Sequence, residues 1–283
     1  MPSLRDLRRR IRSVANTQKI TKAMELVAAS KLRRAQERMQ NARPYADEIT
    51  GIMVELMRRT PEYAHPYLSV RPVEQRCLIL VTSDRGLVGA LNSNSIRLAL
   101  TAMDGETPTA VVTIGRRGRD TMRRLRKPLI ADISNYGDRP SLGDILPAIR
   151  VAMQQFEEGN VDQIDMIYPH FVSIGRHQPT LQRILPLDLP KDAPPVRSLF
   201  EYEPEPRDVL DALLPRYVEA QVYRAVLESI ASEQAARVVA MHAAAQNAGE
   251  LIDNLTLTAN KVRQASITTE LMEIVAGVGA LQG

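Results

Sequence analysis

The chain has 283 residues, 44% of them apolar and 25% charged, a composition ordinary for a soluble protein with one or two hydrophobic cores. Its longest apolar run, residues 78–81, is far too short to cross a bilayer, and its one cysteine, Cys77, excludes an internal disulfide and fits a reducing compartment. The net charge of +4 hides an asymmetry, with 12 Lys/Arg against 3 Asp/Glu in residues 1–43 and 5 against 9 in residues 208–283, so the two chain ends are natural partners for each other.

The first segment predicts one long helix. Its opening, MPSLRDLRRRIRSV, has the arginine content of a transit peptide, but it carries Asp6 and its apolar stripe runs on past Val14, so it reads as helix. Alternate steps of three and four from Leu4 to Leu56 land on apolar residues at thirteen of sixteen positions, which is a coiled-coil seam. The three exceptions, Gln18, Thr21 and Glu25, are consecutive on that seam, while Ile20, Met24 and Val27 offer an alternative stripe beside it. This predicts a stutter that turns the seam away from its first partner. Pro44 predicts a bend rather than an end.

An α/β segment comes next. RCLILVT (76–82), TAVVTIG (109–115) and QIDMIYPHFV (163–172) read as strands, and residues 93–103, 116–126 and 142–159 as helices between them. Alternating strands and helices predict a small, mostly parallel, Rossmann-like sheet, with residues 179–187 adding an edge strand. DAPPVRSLFEYEPEPRD (192–208) is Pro- and acid-rich and reads as a rigid connector.

The C-terminal segment repeats the first pattern. The same stepping from Leu210 to Val262 gives fourteen apolar positions of sixteen, many of them Ala, which lets two helix axes approach closely. Pro215 suits the first turn of this helix or a kink just inside it. The fold class is therefore α/β: a long antiparallel coiled coil of the N- and C-terminal helices plus the central domain. The expected domains are residues 1–60, 61–207 and 208–283. The C-terminal helix outruns its partner by about 15–25 Å at 1.5 Å per residue. Its tip carries Ile267, Leu271, Ile274, Val275, Val278 and Leu281, which either fray in water or enter a socket in another protein; the socket is the favoured reading.

No motif supplies catalytic chemistry. TSDRGLVGALNSN (82–94) lies between a strand and a helix, as a phosphate-binding turn does, but it lacks GxGxxG spacing, and GxxxxGK[ST] is absent from the chain. A tight turn with Asn92 or Ser93 capping the next helix is the simpler reading. His65, His170, His177 and His242 show no metal-ligand spacing, and Ser83 and Asp84 lack a nucleophile-elbow signature. The Arg5, Arg8, Arg9, Arg12, Lys19 and Lys22 face reads as a solvated helix surface. With no Trp and three Phe, a platform for single-stranded nucleic acid is not expected.

Three stretches, RRRIRSVANTQKITKAMELVAASKLRRAQ, the turn TSDRGLVGALN and the segment from YRAVLESIAS to VAGVGAL, closely resemble the γ subunit family of ATP synthase. The resemblance implies the central shaft of a rotary motor, not catalytic on its own and holding no cofactor or metal. Its partners would be three α and three β subunits, the ε subunit and the membrane c-subunit ring. The shaft's asymmetry would couple proton flow to sequential conformational change of the three β subunits, driving ATP synthesis, or ATP-driven pumping in reverse. By motif, Met24, Arg237, Gln264 and Thr268 fall where the family engages a β-subunit loop. The apolar tip falls in an α/β sleeve, and Phe200, Tyr202 and Glu203 in a foot near the rotor ring. The implied location is peripheral, on the cytoplasmic face of a bacterial cell membrane. The chain departs from the family pattern at Val88, often Cys, and at His242, commonly Lys. Two rivals remain beside this reading: a nucleotide-dependent enzyme built on residues 76–187, and a free-standing coiled-coil adaptor.

Overall fold

The computed structural model describes residues 3–60, 62–188 and 205–281, and the side chains within them except those of residues 43, 45–47, 273 and 275–281. Five strands and five α-helices, with one short 3-10 helix at Pro66–Leu68, are present among these residues: α1 (Leu4–Arg59), β1 (Arg76–Val81), α2 (Leu91–Met103), β2 (Thr109–Ile114), α3 (Arg116–Arg124), β3 (Leu129–Ile133), α4 (Leu142–Glu157), β4 (Gln163–Ser173), β5 (Arg176–Leu185) and α5 (Pro206–Leu281). Helix α1 starts on Ser3, whose Oγ accepts from the Asp6 backbone N–H at 3.1 Å, and it continues through Pro44. Helix α5 likewise continues through Pro215. The mixed α/β class with two long helices is as expected.

The chain divides into two compact units, residues 28–237 and residues 1–27 with 238–283. In the larger one the strand order is β3-β2-β1-β4-β5, parallel throughout except for β5, which runs antiparallel to β4 at one edge. Strand β1 lies in the middle and is buried on both faces, which is why RCLILV is a continuous apolar run rather than an alternating one. Leu78 and Leu80 join Ala99, Val111, Met122 and Ile167 on one side. Cys77, Ile79 and Val81 face the other side with Ile149, Phe156, Leu56 and Val222. The period of two along the strand distributes these residues between two cores. Burial pushes the Cys77 thiol up to about 12, so it packs as a small apolar side chain.

Strand β3 falls where the sequence pattern predicts none. LIADI is short and mostly half-buried, comes directly after Pro128, and has none of the long apolar signal that marks β1. Residues 225–236 of α5 are buried without interruption, so this stretch has no solvent face. That is incompatible with a seam on one side alone, and the small residues Ala225, Ser229, Ala231, Ser232, Ala235 and Ala236 make it possible.

The smaller unit is an antiparallel helix pair: Glu25 meets His242 while Gln18, a turn or two earlier on α1, meets Ala245. Here the expected stutter does not occur. Thr21 is buried and Gln18 and Glu25 are half-buried, so the seam keeps its register straight through the polar positions. Of the would-be replacement stripe, Ile20 and Val27 stay outside, 60% and 56% exposed, and only Met24 is half-buried. The polar groups are tolerated because Gln18 and Glu25 find partners across the seam and the Thr21 hydroxyl donates to the Gln18 carbonyl of its own helix. Gln18 Nε2 donates to the Ala245 carbonyl at 3.4 Å, and the Glu25 carboxylate lies 3.1 Å from His242 Nδ1.

Gly115, between β2 and α3, has φ 112°, and a Cβ there would lie 2.0 Å from the Thr82 carbonyl oxygen. Gly115→Ala is expected to cost about 2–4 kcal/mol, combining the left-handed backbone with a backbone clash. Denaturant unfolding of the purified chain checks this; a loss below about 0.5 kcal/mol, typical of a neutral surface change, contradicts it.

Candidate partner-binding surface

The turn 82–94 is built as a buttress for a helix. Thr82 anchors it: its N–H donates to the Ile114 carbonyl at 2.8 Å, its Oγ1 accepts from the Gly118 N–H at 2.8 Å, and its carbonyl accepts from the Tyr136 hydroxyl at 3.0 Å. Asn92 does not cap α2, which begins one residue earlier with Ala90 at its N-cap and no side-chain capping bond. Instead Asn92 Oδ1 accepts from the Ser83 N–H at 3.0 Å and its Nδ2 donates to Ser83 Oγ at 2.8 Å, closing the turn on itself. Ser93 makes no cap either. The Ser83 hydroxyl donates to the Arg85 carbonyl at 2.6 Å and Asp84 Oδ1 accepts from the Arg116 N–H at 2.9 Å. Both groups are thus committed to structure rather than to a catalytic triad.

Against this turn lies α5. Val88 and Leu91 pack on Ala236, and Arg237 Nη2 donates to the Gly86 carbonyl at 3.5 Å. Arg237 is 11% exposed at its side chain and also binds Glu233 Oε1 at 2.5 Å and Gln234 Oε1 at 2.9 Å. Beside it, Asp138 accepts from Lys31 Nζ at 2.6 Å through its carboxylate and from Arg38 Nη1 at 2.9 Å through its carbonyl. Burial raises the Asp138 carboxyl, but the Lys31 hydrogen bond and the charges of Lys31, Arg85 and Arg237 outweigh it and hold it below its ordinary range. Glu233 goes the other way. Burial outweighs Arg237 and, with Asp138 and Asp84 nearby, lifts its carboxyl above 4.5.

In the helix-pair unit, Met24 is half-buried on α1 beside Glu25, whose carboxyl is held low by the Lys22 hydrogen bond first and then by His242. Farther along α5, Ala259 is the last buried residue and Val262 the last half-buried one; each described side chain from 263 onward is exposed. Gln264 and Thr268 lie there one turn apart, with Thr268 Oγ1 donating to the Gln264 carbonyl at 2.9 Å. Ile267, Leu271 and Ile274 are exposed on the same stretch, as is Met272, which the apolar stripe of the sequence does not include. Val275, Val278 and Leu281 lie in α5 but their side chains are outside the described residues, and Phe200, Tyr202 and Glu203 are outside them altogether. Glu25 faces residue 242, whereas Gln264 lies 22 residues beyond, about 33 Å along the helix at 1.5 Å per residue. Met24, Gln264 and Thr268 therefore form no single cluster, and Arg237 belongs to the turn 82–94.

Gln264 and Thr268 are exposed, Met24 is half-buried, and Arg237 is enclosed by its own partners. Ile20, Leu26 and Val27 on α1 and Val239, Leu251 and Leu257 on α5 are also exposed apolar residues of this unit. Ten of the large apolar residues exposed among the described residues thus fall on this one unit.

A family model described as ATP synthase matches residues 3–281. The ATP synthase gamma chain of Dehalococcoides mccartyi strain CBDB1 is 47% identical over 99% of this chain and 100% of its own length. The chain belongs to the ATP synthase gamma chain family. A second gamma chain, from Herpetosiphon aurantiacus, is 47% identical over 99% of both proteins. Among solved structures, the central stalk and c-ring of Tetrahymena thermophila mitochondrial ATP synthase matches 80% of this chain and 99% of its own at 27% identity and TM-score 0.62. The Euglena gracilis mitochondrial ATP synthase matches 98% and 94% at TM-score 0.69 and 18% identity, a likeness of fold. A gamma chain is a subunit of an enzyme complex, and among the described residues no helix is long and apolar enough to cross a membrane.

The Glu233 pair yields a test with a defined sign. Its raised carboxyl means that the folded chain holds this proton more tightly than the unfolded chain does. Relative to a Glu233→Gln variant, wild type is therefore expected to lose stability as pH rises from 4.5 through the folded-state value. Paired denaturant titrations between about pH 4 and pH 8 check it; a wild-type-minus-variant difference that is flat or rises with pH contradicts it. The polar seam yields another. Gln18→Leu with Thr21→Val is expected to raise stability by about 1–2 kcal/mol, since each replaces a partly satisfied polar group by apolar packing. Thermal melting of the purified chain measures this, and an unchanged or lower Tm contradicts it.

Proposed function

We propose that this chain is the central rotor shaft of the complex, without an active site of its own. The observation that carries this is the exposed apolar surface of the helix pair, above all the stretch of α5 after Val262 that no part of the described chain covers. A free-standing adaptor has no reason to keep Ile267, Leu271, Met272 and Ile274 in water. A nucleotide enzyme is disfavoured because the turn 82–94 commits its groups to holding Arg237, Ala236 and its own Asn92.

In this reading, three α and three β subunits surround the helix pair and the α5 tip sits in their apolar sleeve. The ε subunit and c-ring bind the sheet-containing unit, with Phe200, Tyr202 and Glu203 toward the ring, on the cytoplasmic face of the membrane. Met24, Gln264, Thr268 and Arg237 would meet a β-subunit loop in turn as the shaft rotates. Each contact favours one β conformation over another, so rotation orders three equivalent sites by differential binding rather than by chemistry on this chain. Arg237 would bring a charge already oriented by Glu233 and Gln234.

Co-expression with α, β and ε subunits of the same organism, followed by mass determination, is expected to yield one copy of this chain with three α and three β. Removing residues 267–283 is expected to weaken assembly or ATPase activity. A chain that remains alone and indifferent to truncation overturns the reading. Met24→Lys is expected to leave the fold intact while lowering protons pumped per ATP in reconstituted vesicles, and an unchanged ratio removes Met24 from the coupling surface.

A further inference from the structure

Strand β3 ends the sheet. It pairs with β2 alone, and the register slips so that Val111 faces Leu129 and Val112 faces Ala131, leaving Ile130 between them as an extra residue, 41% exposed. A groove of about 480 Å³ lies along this edge, lined by Arg123, Lys127, Leu129, Ile130, Ala131 and Asp132. Residues 121–131 carry Arg123, Arg124, Arg126 and Lys127 and no Asp or Glu. Arg123 binds Asp132 at 2.8 Å, whereas Arg124, Arg126 and Lys127 make no ion pair among the described residues. Cations on the last turn of α3 complement its dipole, which accounts for Arg123 and Arg124 but not for cations beyond the helix beside an open strand edge.

We propose that β3 is a docking edge for an extended acidic segment of another subunit, added as a sixth strand with its carboxylates against Lys127 of the groove and the exposed Arg124 and Arg126 that adjoin it in sequence. Unpaired backbone groups select a polypeptide over a lipid headgroup or nucleic acid, because only a peptide completes the hydrogen-bond ladder. The side-chain period of two matches a segment alternating acidic with apolar residues, the apolar ones covering Ile130. This site is distinct from the helix-pair surface; its identification with another subunit rests on the proposed assembly.

Two measurements on the full-length chain test it. The peptide acetyl-EVEVEVE-amide is titrated onto the chain while amide hydrogen exchange across residues 128–134 is followed, with acetyl-KVKVKVK-amide as control. Protection of about tenfold or more by the acidic peptide alone, lost in Arg124→Gln/Arg126→Gln/Lys127→Gln with unchanged circular dichroism, supports the proposal. Equal protection by both peptides, or none, overturns it. In complexes first shown by mass to contain α and β subunits, the same amides are expected to be protected relative to the isolated chain; β3 amides that remain unprotected there overturn the docking role. Failure to assemble counts against the rotor reading, while the peptide titration still decides the edge.

Discussion

Everything in the larger unit depends on how tightly neighbours can approach α5. Between residues 225 and 236 that helix is enclosed on every side, and enclosure is possible because Ala and Ser recur through the stretch. The same stretch carries Glu228, Ser232, Glu233 and Gln234, whose burial has to be compensated. Glu228 lies 2.6 Å from His170 Nδ1 and 3.5 Å from Arg224, Ser232 donates to the Pro169 carbonyl at 2.9 Å, and Glu233 holds Arg237. A helix this small and this polar could slide among several registers if only apolar contacts held it; directional bonds to β4 and to its own next turn define one.

Those bonds also tie the sheet's loops to the helix. Arg237 reaches the Gly86 carbonyl, Lys31 and Arg38 of α1 reach Asp138, and Tyr223 donates to the Pro140 carbonyl at 3.1 Å. The turn 82–94 is thus a structural clamp at the place where comparable α/β folds bind phosphate. Here Thr82, Ser83, Asp84 and Asn92 spend their polar groups on bonds within the protein.

The helix-pair unit obeys a different logic. Its seam accepts Gln18, Thr21 and Glu25, which a more stable pair would replace with apolar residues, while Ile20, Leu26 and Val27 remain outside. Stability is given up on the inner face and apolar surface is carried on the outer one. A surface that must engage partners repeatedly and release them has this distribution, because a helix pair optimised for itself would hide the residues its partners need. His242 adds a cross-helix contact to Glu25 in the same region.

Much of this was legible from residues alone. The 3.5-residue seams of both long helices, the strands β1, β2 and β4 and an edge strand near residues 179–187 come from local pattern, and the bare α5 tip from that pattern together with helix length; the antiparallel direction of the edge strand does not. Family membership comes from three motifs in order. Tertiary structure decided the rest wherever the partner was distant in the chain or the local signal was weak. Strand β3 exists because β2 offers an edge to five residues with little strand character of their own. Asn92 left its expected cap because Ser83 offered it two hydrogen bonds. The seam kept its register through Gln18 and Glu25 because Ala245 and His242 stand opposite, more than 200 positions away, and no pattern within α1 could announce them. Periodicity says which faces a helix has; only the neighbours' hydrogen-bonding groups determine which of two available faces is turned inward.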